Sequence, residues 1–261
     1  MRIEYLYRYP VKGLTAEALE SAEVEPGGCI PWDRAFALAL GSGFDPAAPA
    51  WLQKMNFMCH ARTAKIAALA SVFEPRDGTL TIRAPDGSFV SANALSATGR
   101  ADITAFLSRF LGGDAGAASP DTPAFHYAPG HSFCDQREKV VSLVNMASLH
   151  DFEAKVGARC HRRRFRANAW FSGAAPWSER TWIGQHIQLG GAVLRITKGI
   201  ERCAATEVHP VTAERDANPV AELRRHYGHA ELGIHATVIE GAASRSAIRL
   251  RFLETDEVLG D

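Results

Sequence analysis

The chain contains the stretch Gly78-Thr-Leu-Thr-Ile-Arg-Ala84-Pro-Asp-Gly-Ser-Phe-Val90, which predicts a β-hairpin. Apolar and polar residues alternate on both sides of Pro85-Asp-Gly87, as in two half-buried strands joined by a tight turn. The same alternation occurs at Arg34–Leu40, where the large apolar residues share one face. Further strands are predicted at 2–8, 19–25, 64–73, 139–144, 166–172, 186–197 (folded back at 190–191), 232–239 and 247–253. This regular spacing favours a barrel or sandwich over a parallel α/β sheet.

Three helices are predicted between these strands. The first has an apolar stripe from Ile103 to Leu111, after a candidate cap at Asp102. The second lies between a cap at Asn145 or Ser148 and a stop at Gly157, and the third begins at Asn218-Pro219. The predicted fold class is therefore α+β, with β-structure dominant.

The stretch Gly112–Gly130 is the best candidate for a linker, because it is rich in Gly, Ala, Ser, Asp and Pro. It divides the chain into a β-rich domain at 1–115 and a second β-rich domain at 125–261, and we expect it to lie on the surface. The two domains must pack closely if residues from both form one binding site.

Composition excludes several classes of protein. The 261 residues are 46% hydrophobic and 22% charged, typical of a soluble protein with a hydrophobic core. Basic and acidic residues number 29 each, and a protein that grips nucleic acid or an anionic membrane usually has a basic excess. No apolar run approaches the length of a membrane span, and the N-terminus does not read as a secretory signal. The five cysteines lack a Cys-x-x-Cys pair, which favours a reducing, cytoplasmic environment over a disulfide framework.

Few stretches of the sequence have a pattern that indicates chemistry. His226-Tyr-Gly-His229 has a spacing that suits zinc on a helix, but a polar helix end is the better interpretation because no third ligand follows. His161-Arg-Arg-Arg-Phe-Arg166 concentrates four arginines, which is typical either of a solvated turn or of a phosphate site. Arg166 and Asn168 are expected on one face of the following strand, as an edge that recognises anions and amides.

Cys203 is the best single candidate for a reactive residue. It follows a predicted strand, and the neighbouring Arg202 and Lys198 favour its thiolate, which is both a nucleophile and a soft-metal ligand. The plain alternative is a small buried hydrophobic residue. We expect the Cys203 sulfur to be accessible, and most of the other cysteines to be buried or remote.

Several short motifs in order resemble one family. They are Tyr9-Pro-Val-Lys-Gly13, Asp33-Arg34, Val144-Asn-Met-Ala-Ser-Leu149, Arg164-Phe-Arg-Ala-Asn168, Trp182-Ile-Gly184 and Arg202-Cys-Ala-Ala-Thr206. Together they resemble the MOSC family, named for the C-terminal domain of molybdenum cofactor sulfurase. The resemblance includes the family's N-terminal β-barrel domain, extends to the mitochondrial amidoxime reducing component and its bacterial relatives, and covers nearly the whole chain. It implies a β-barrel MOSC domain packed on an N-terminal β-barrel-like domain.

The resemblance also implies a cofactor, molybdenum-molybdopterin, and a set of residues that hold it. Cys203 would be both the catalytic residue and the metal ligand. The cofactor-binding residues would be Lys12, Gly13, Arg34, Asn145, Ala147, Ser148, Arg166, Asn168, Arg202 and Thr206. Lys12, Arg34 and Arg166 are therefore expected to converge on one pocket. The mitochondrial relatives have a serine at Gly13 and an acidic residue at His209.

The function implied is that of an oxidoreductase that reduces small N-hydroxylated substrates such as hydroxylamines and amidoximes. Its electrons would come from a separate ferredoxin or cytochrome-type donor, because the chain has no cysteine run of the plant ferredoxin type. The alternative is a carrier of sulfur or cofactor that uses Cys203 without turnover, and a zinc hydrolase is a third, weaker candidate. Pyridoxal phosphate binding is a label at the level of the family only.

Overall fold

The computed structural model describes residues 1–115, 123–244 and 250–252. Within these ranges the chain forms mainly short strands, with three α-helices. The strands are β1 (Arg2–Arg8), β2 (Glu17–Ala18), β3 (Ala22–Val24), β4 (Phe36–Ala39), β5 (Ala70–Glu74), β6 (Thr79–Arg83), β7 (Phe89–Asn93), β8 (Ala124–Tyr127), β9 (Val141–Asn145), β10 (Ala169–Ser172), β11 (His186–Leu189), β12 (Ala192–Glu201), β13 (Glu231–Glu240), β14 (Ala242–Ser244) and β15 (Leu250–Phe252). The helices are α1 (Ala97–Leu111), α2 (Met146–Val156) and α3 (Pro219–Tyr227). The mainly β fold class is confirmed.

The largest sheet has eight strands in the order β15-β11-β12-β13-β9-β10-β1-β2, and it curls into a half-barrel. Its inner face is apolar, with Leu143, Phe171, Leu194 and Ile234 almost without solvent exposure. Strand β1 pairs antiparallel with β10 and with β2, so two strands from the first part of the sequence extend a sheet whose other six strands come from the C-terminal half. The predicted fold-back at 190–191 is confirmed, since β11 and β12 pair across it.

A second core lies under the three-stranded sheet β5-β6-β7, helix α1 and the pair β4-β8. The predicted hairpin is confirmed, with Ile82 opposite Val90 and the Ala84 N–H donating to the Ser88 carbonyl at 2.9 Å. Helix α1 begins earlier than predicted, because the Ser96 side chain, and not Asp102, accepts a hydrogen bond from the Gly99 N–H. The caps Asn145 and Asn218 of the other helices are confirmed.

Three of the predicted segments differ in the structure. Residues 64–68 form a 3-10 helix, so the strand predicted at 64–73 begins only at Ala70. The region predicted as strand 19–25 contains only the three-residue strand β3. Part of the predicted linker, 116–122, lies outside the described residues, but Ala124–Tyr127 is a strand paired with β4. The alternation of Ala124-Phe-His-Tyr127 is too short to stand out beside the Gly- and Ala-rich residues before it.

Within the part of the chain that the structure describes, none of the helices is long and apolar enough to cross a bilayer.

Candidate functional site

A cavity of about 430 Å³ is lined by residues from both the N-terminal and the C-terminal part of the chain. Its walls come from segments that are far apart in sequence. The N-terminal part provides Lys12, Gly13, Asp33, Arg34, Trp51, Gln53, Lys54, Met55, Cys59, His60 and Ala61. The C-terminal part provides Cys134, Asp135, Gln136, Val140, Ser142, Arg164, Phe165, Arg166, Asn168, Ile200, Glu201, Arg202, Cys203, Ala205, Thr206 and His235.

The cavity contains most of the residues expected to bind a cofactor. Lys12, Gly13, Arg34, Arg166, Asn168, Arg202, Cys203 and Thr206 line it, whereas Asn145, Ala147 and Ser148 do not. The expected convergence of Lys12, Arg34 and Arg166 is therefore what the structure shows. Six Lys and Arg side chains and three carboxylates line the cavity, so its walls are predominantly cationic.

Lys12 is a buried ammonium group, with 5% of the residue exposed. Its Nζ donates a hydrogen bond to the Phe133 carbonyl at 2.7 Å and forms an ion pair with Asp135. Burial alone would raise the pKa of Asp135, but the charges of Lys12 and Lys54 outweigh burial and lower it. Asp135 thus neutralises part of the positive charge at this end of the cavity. No pattern in the sequence identifies Asp135 as a site residue.

Arg34 and Arg166 stack on the ring of Tyr9, at 4.6 and 4.3 Å from its centroid. Arg34 pairs with Asp33 and donates from Nη2 to the Arg166 carbonyl at 2.8 Å, which ties the Arg34 side chain to the backbone of Arg166. Arg166 donates from Nη1 to the Leu14 carbonyl at 2.7 Å, while its buried Nη2 has no partner. Burial, and then the charge of Arg34, lower the pKa of Arg166 to about 10.

The prediction that Arg166 and Asn168 share a strand face is wrong. Arg166 ends a 3-10 turn in the left-handed conformation, with φ of 50°, and β10 begins only at Ala169. The Asn168 side chain is committed to the fold, since its Oδ1 accepts from the Ser142 hydroxyl at 2.8 Å and its Nδ2 donates to the Tyr7 carbonyl at 3.2 Å. Asn168 therefore joins β9 and β1 beside the cavity instead of offering a free amide edge.

Cys203 follows the end of β12 and precedes a 3-10 turn at Ala204–Glu207. The Thr206 N–H and hydroxyl both donate to the Cys203 carbonyl at 2.9 Å, so Thr206 shapes the turn that presents the thiol. Cys203 is partly exposed, as expected. The expectation for the other cysteines is only partly met, because Cys59 and Cys134 line the same cavity.

Arg202 supports this loop from behind. Its Nε donates to the Leu232 carbonyl at 2.8 Å and its Nη1 to the Phe165 carbonyl at 2.7 Å. Burial lowers the pKa of Arg202 to about 9. Because these bonds go to backbone atoms, Arg202 anchors the Cys203 loop to β13 and to the turn before Arg166.

Lys54 lies beside Cys203 and was missed from the sequence. Burial lowers the pKa of its ammonium group, but a hydrogen bond and charge attraction to Cys203 outweigh burial, so this pKa is raised overall. Lys54 belongs to a short 3-10 turn, Lys54–Asn56, that has no periodic pattern around it. A cation from the N-terminal part thus meets the thiol of the C-terminal part.

Two buried histidines were also missed. Burial, and then neighbouring arginine charges, lower the pKa of His60 to about 3, and the same causes lower the pKa of His235 to about 3. The His60 Nε2 lies 2.8 Å from the Gly13 carbonyl, which can only accept, so Nε2 carries the proton and Nδ1 has a free lone pair.

The N-terminus of α2 does not face the cavity, which corrects the expectation for Asn145, Ala147 and Ser148. The Ser148 hydroxyl donates to Glu179 Oε1 at 2.7 Å, and Asn145 Nδ2 donates to Glu179 Oε2 at 3.1 Å. A carboxylate of the chain itself therefore occupies the place where an anion was expected at this helix N-terminus. Burial raises the pKa of Glu179, against these hydrogen bonds.

His209, which stands where relatives have an acidic residue, does not line the cavity either. Its Nδ1 accepts from the Val211 and Thr212 N–H groups at 3.3 and 3.2 Å, so the ring stabilises its own turn.

Polar atoms without partners are concentrated around the cavity. Among the described residues, seven buried side-chain nitrogens or oxygens have no hydrogen-bond partner, and five of these belong to cavity-lining residues: Trp51 Nε1, His60 Nδ1, Arg164 Nε, Arg166 Nη2 and His235 Nδ1. Buried polar groups are normally paired, so this concentration indicates a site for a polar ligand. Three of the five atoms can only donate, which suits an oxygen-rich anion.

Comparisons with known proteins identify the family. The model of the MOSC domain matches residues 110–250, and the model of the MOSC N-terminal beta barrel domain matches residues 1–119. Among solved structures, the YuaD protein of Bacillus subtilis has 14% identity and a TM-score of 0.45, over 95% of this chain and 93% of its own. YiiM of Geobacillus stearothermophilus has 13% identity and a TM-score of 0.34, over 44% of this chain and 54% of its own. A comparison with curated proteins gave no match. Since the two family models together span most of the sequence, the chain belongs to the MOSC family and includes its N-terminal β-barrel domain.

Proposed function

We propose that the cavity binds the molybdenum cofactor and that the protein reduces N-hydroxylated compounds such as hydroxylamines and amidoximes. MOSC domains are associated with binding of this cofactor. The observation that carries the proposal is the concentration of unpartnered buried polar atoms in one cationic cavity that also contains a partly exposed thiol.

The residues present fit the chemistry of the cofactor. The pterin phosphate is an anion, and the neighbouring guanidinium groups of Arg34 and Arg166, together with Lys12, form a cationic wall for it. The Arg166 Nη2 is a free donor at this wall. Molybdenum accepts soft sulfur ligands, and Cys203 would provide the protein thiolate.

The other wall would recognise the organic part of the cofactor. The free Nδ1 of His60 would accept a hydrogen bond from a ring N–H, whereas Trp51 Nε1 and Arg164 Nε would donate to ring oxygen or nitrogen. His60 stays neutral because its pKa is far below physiological pH.

The bound cofactor would supply two-electron removal of an oxygen atom from the substrate, and the protein would position it and keep its charge balanced. Lys54 lies beside the Cys203 sulfur, and a hydrogen bond and charge attraction to Cys203 raise the pKa of this ammonium group. We propose that a separate ferredoxin or cytochrome-type protein delivers the electrons.

The test begins with protein made in a host that synthesises the cofactor. We expect molybdenum and pterin to co-purify with the protein, and an aryl amidoxime to be reduced with a chemical electron donor. Cys203→Ala should abolish turnover and change the free energy of unfolding by only about 1 kcal/mol or less, because it removes no core side chain.

Cys29→Ala is the matched control, because Cys29 is also partly exposed but does not line this cavity. Cys203→Ser should lose turnover nearly as completely as Cys203→Ala, because a serine oxygen is a harder ligand and is poorly ionised. Retention of molybdenum and full turnover by Cys203→Ala would show that the thiolate is not the ligand.

A second candidate function is that of a carrier of sulfur or cofactor, without turnover of its own. The observation in its favour is that Cys59, Cys134 and Cys203 line one cavity, which would suit the handling of sulfur. Wild-type protein that contains molybdenum and pterin but does not reduce any N-hydroxylated compound would favour this function.

A further inference from the structure

Arg215 connects the two walls of the cavity without lining it. Its Nη1 donates to the Ala204 carbonyl at 3.1 Å and to Glu207 Oε2 at 3.0 Å. Its Nη2 donates to the carbonyls of His60 and Ala61, both at 3.0 Å. One guanidinium group thus binds the turn that follows Cys203 and the segment on the opposite wall.

The backbone around Arg215 belongs to the first of these walls. Arg215 forms an isolated antiparallel bridge with Val208, directly after the turn Ala204–Glu207. The side chain then reaches across to residues that the N-terminal family model covers, whereas Arg215 itself lies in the MOSC domain match. The two hydrogen bonds to His60 and Ala61 therefore cross the boundary between the two parts of the chain.

We propose that Arg215 is a positioning residue that sets the separation between the Cys203 turn and the Cys59–Ala61 segment. A planar guanidinium group can bind two pairs of acceptors in fixed directions, which an ammonium group cannot do. By fixing this separation, Arg215 determines where the Cys203 sulfur stands relative to His60 and to Lys54 on the opposite wall. For the bound cofactor this role rests on the proposed function; for the cavity walls it does not.

The first experiment measures amide hydrogen exchange in cofactor-free protein. Two amides report on the two walls: the Thr206 N–H donates to the Cys203 carbonyl, and the Thr63 N–H donates to the Cys59 carbonyl, both at 2.9 Å. In Arg215→Ala, exchange of both segments should accelerate together by about fivefold or more, because each loses its tie to the other. Added methylguanidinium should restore the protection.

Three further variants distinguish the bridging geometry of the Arg215 guanidinium group from its charge. Arg215→Lys should behave like Arg215→Ala, because it keeps the positive charge but loses the planar, forked arrangement of N–H donors. Glu207→Gln should change little, because it removes the ion pair but leaves an oxygen acceptor and the three carbonyl bonds. Arg225→Met is the matched control, since the Arg225 side chain is 68% exposed and contacts its helix neighbours Glu222 and His226.

In cofactor-loaded enzyme, Arg215→Ala should lower kcat about tenfold or more and leave KM within about twofold, because a misplaced reacting group impairs the chemical step more than substrate binding. Three results would each overturn the proposal. They are faster exchange in only one wall, full rescue by Arg215→Lys, and an effect of Glu207→Gln equal to that of Arg215→Ala. If both walls respond as expected but wild-type protein reduces no N-hydroxylated compound, the proposed function fails and the role of Arg215 stands.

Discussion

His60 makes the stability of the cofactor-free protein depend on pH. Only 5% of the residue is exposed, its Nε2 donates to the Gly13 carbonyl at 2.8 Å, and its Nδ1 is buried without a partner. Burial, and then the charge of Arg166, lower its pKa to about 3. Because the folded pKa lies below the unfolded value of about 6.5, the neutral ring stabilises the fold above pH 6.5, and this stability is lost as the pH falls towards 3.

The magnitude follows from these two pKa values. At pH 5.0 the unfolded histidine binds a proton and the folded one does not. This pH lies about 1.5 units below the unfolded pKa. One pH unit corresponds to about 1.4 kcal/mol for one proton, so the fold should lose about 2 kcal/mol through His60 between pH 7.5 and pH 5.0.

The assay is urea unfolding of wild-type protein, His60→Gln and His150→Gln at both pH values. Glutamine can still donate to the Gly13 carbonyl but does not titrate, and His150 is an exposed control. Between pH 7.5 and 5.0 the wild type and His150→Gln should lose about 2 kcal/mol more than His60→Gln. An equal loss in all three proteins would refute the buried, neutral state of His60.

Two other predictions concern charges on and away from the cavity. Glu179→Gln should become more stable relative to wild type as the pH rises from 4 to 7, because burial raises the pKa of Glu179 and the stability that its neutral form provides is lost above that pKa. Urea unfolding of both proteins across this pH range measures the effect. A difference in the free energy of unfolding that stays constant with pH would contradict the prediction. Lys54→Met should slow the alkylation of Cys203 by iodoacetamide at pH 7 by about threefold or more, because the thiolate loses its neighbouring cation; peptide mass spectrometry measures the rate, and an unchanged rate would show that Lys54 does not act on the thiol.

The parts of the fold that short-range patterns determine could be predicted from the sequence. The hairpin turn at Pro85-Asp-Gly87, the fold-back at 190–191 and the caps Asn145 and Asn218 need only local chemistry. Strand β8 could not be predicted, because its place is set by pairing with β4 and not by its own composition.

The site was predictable to a similar extent. Cys203, Lys12, Arg34 and Arg166 followed from motifs that resemble a family, and the structure brings them to one cavity. The left-handed conformation of Arg166 could not be read from the sequence, because non-glycine residues rarely adopt it and only the surrounding contacts impose it.

Other parts of the site depend entirely on tertiary structure. Lys54, His60 and Asp135 come from loops without periodic patterns, and only the packing of the two cores brings them to the cavity. Glu179 fills the N-terminus of α2 from thirty-one residues beyond Ser148, so the sequence there still reads as a vacant anion site.

The pairing of β1 with β10 has a consequence for the order of events during synthesis. Arg2 pairs with Ser172, so β1 leaves the ribosome about ten to thirty seconds before its partner at typical rates of translation. Lys12 follows β1 directly, and its cavity is completed only when His235 on β13 has also been made. Loading of any ligand into the cavity is therefore a late step, which follows the translation of β13 and its pairing into the large sheet.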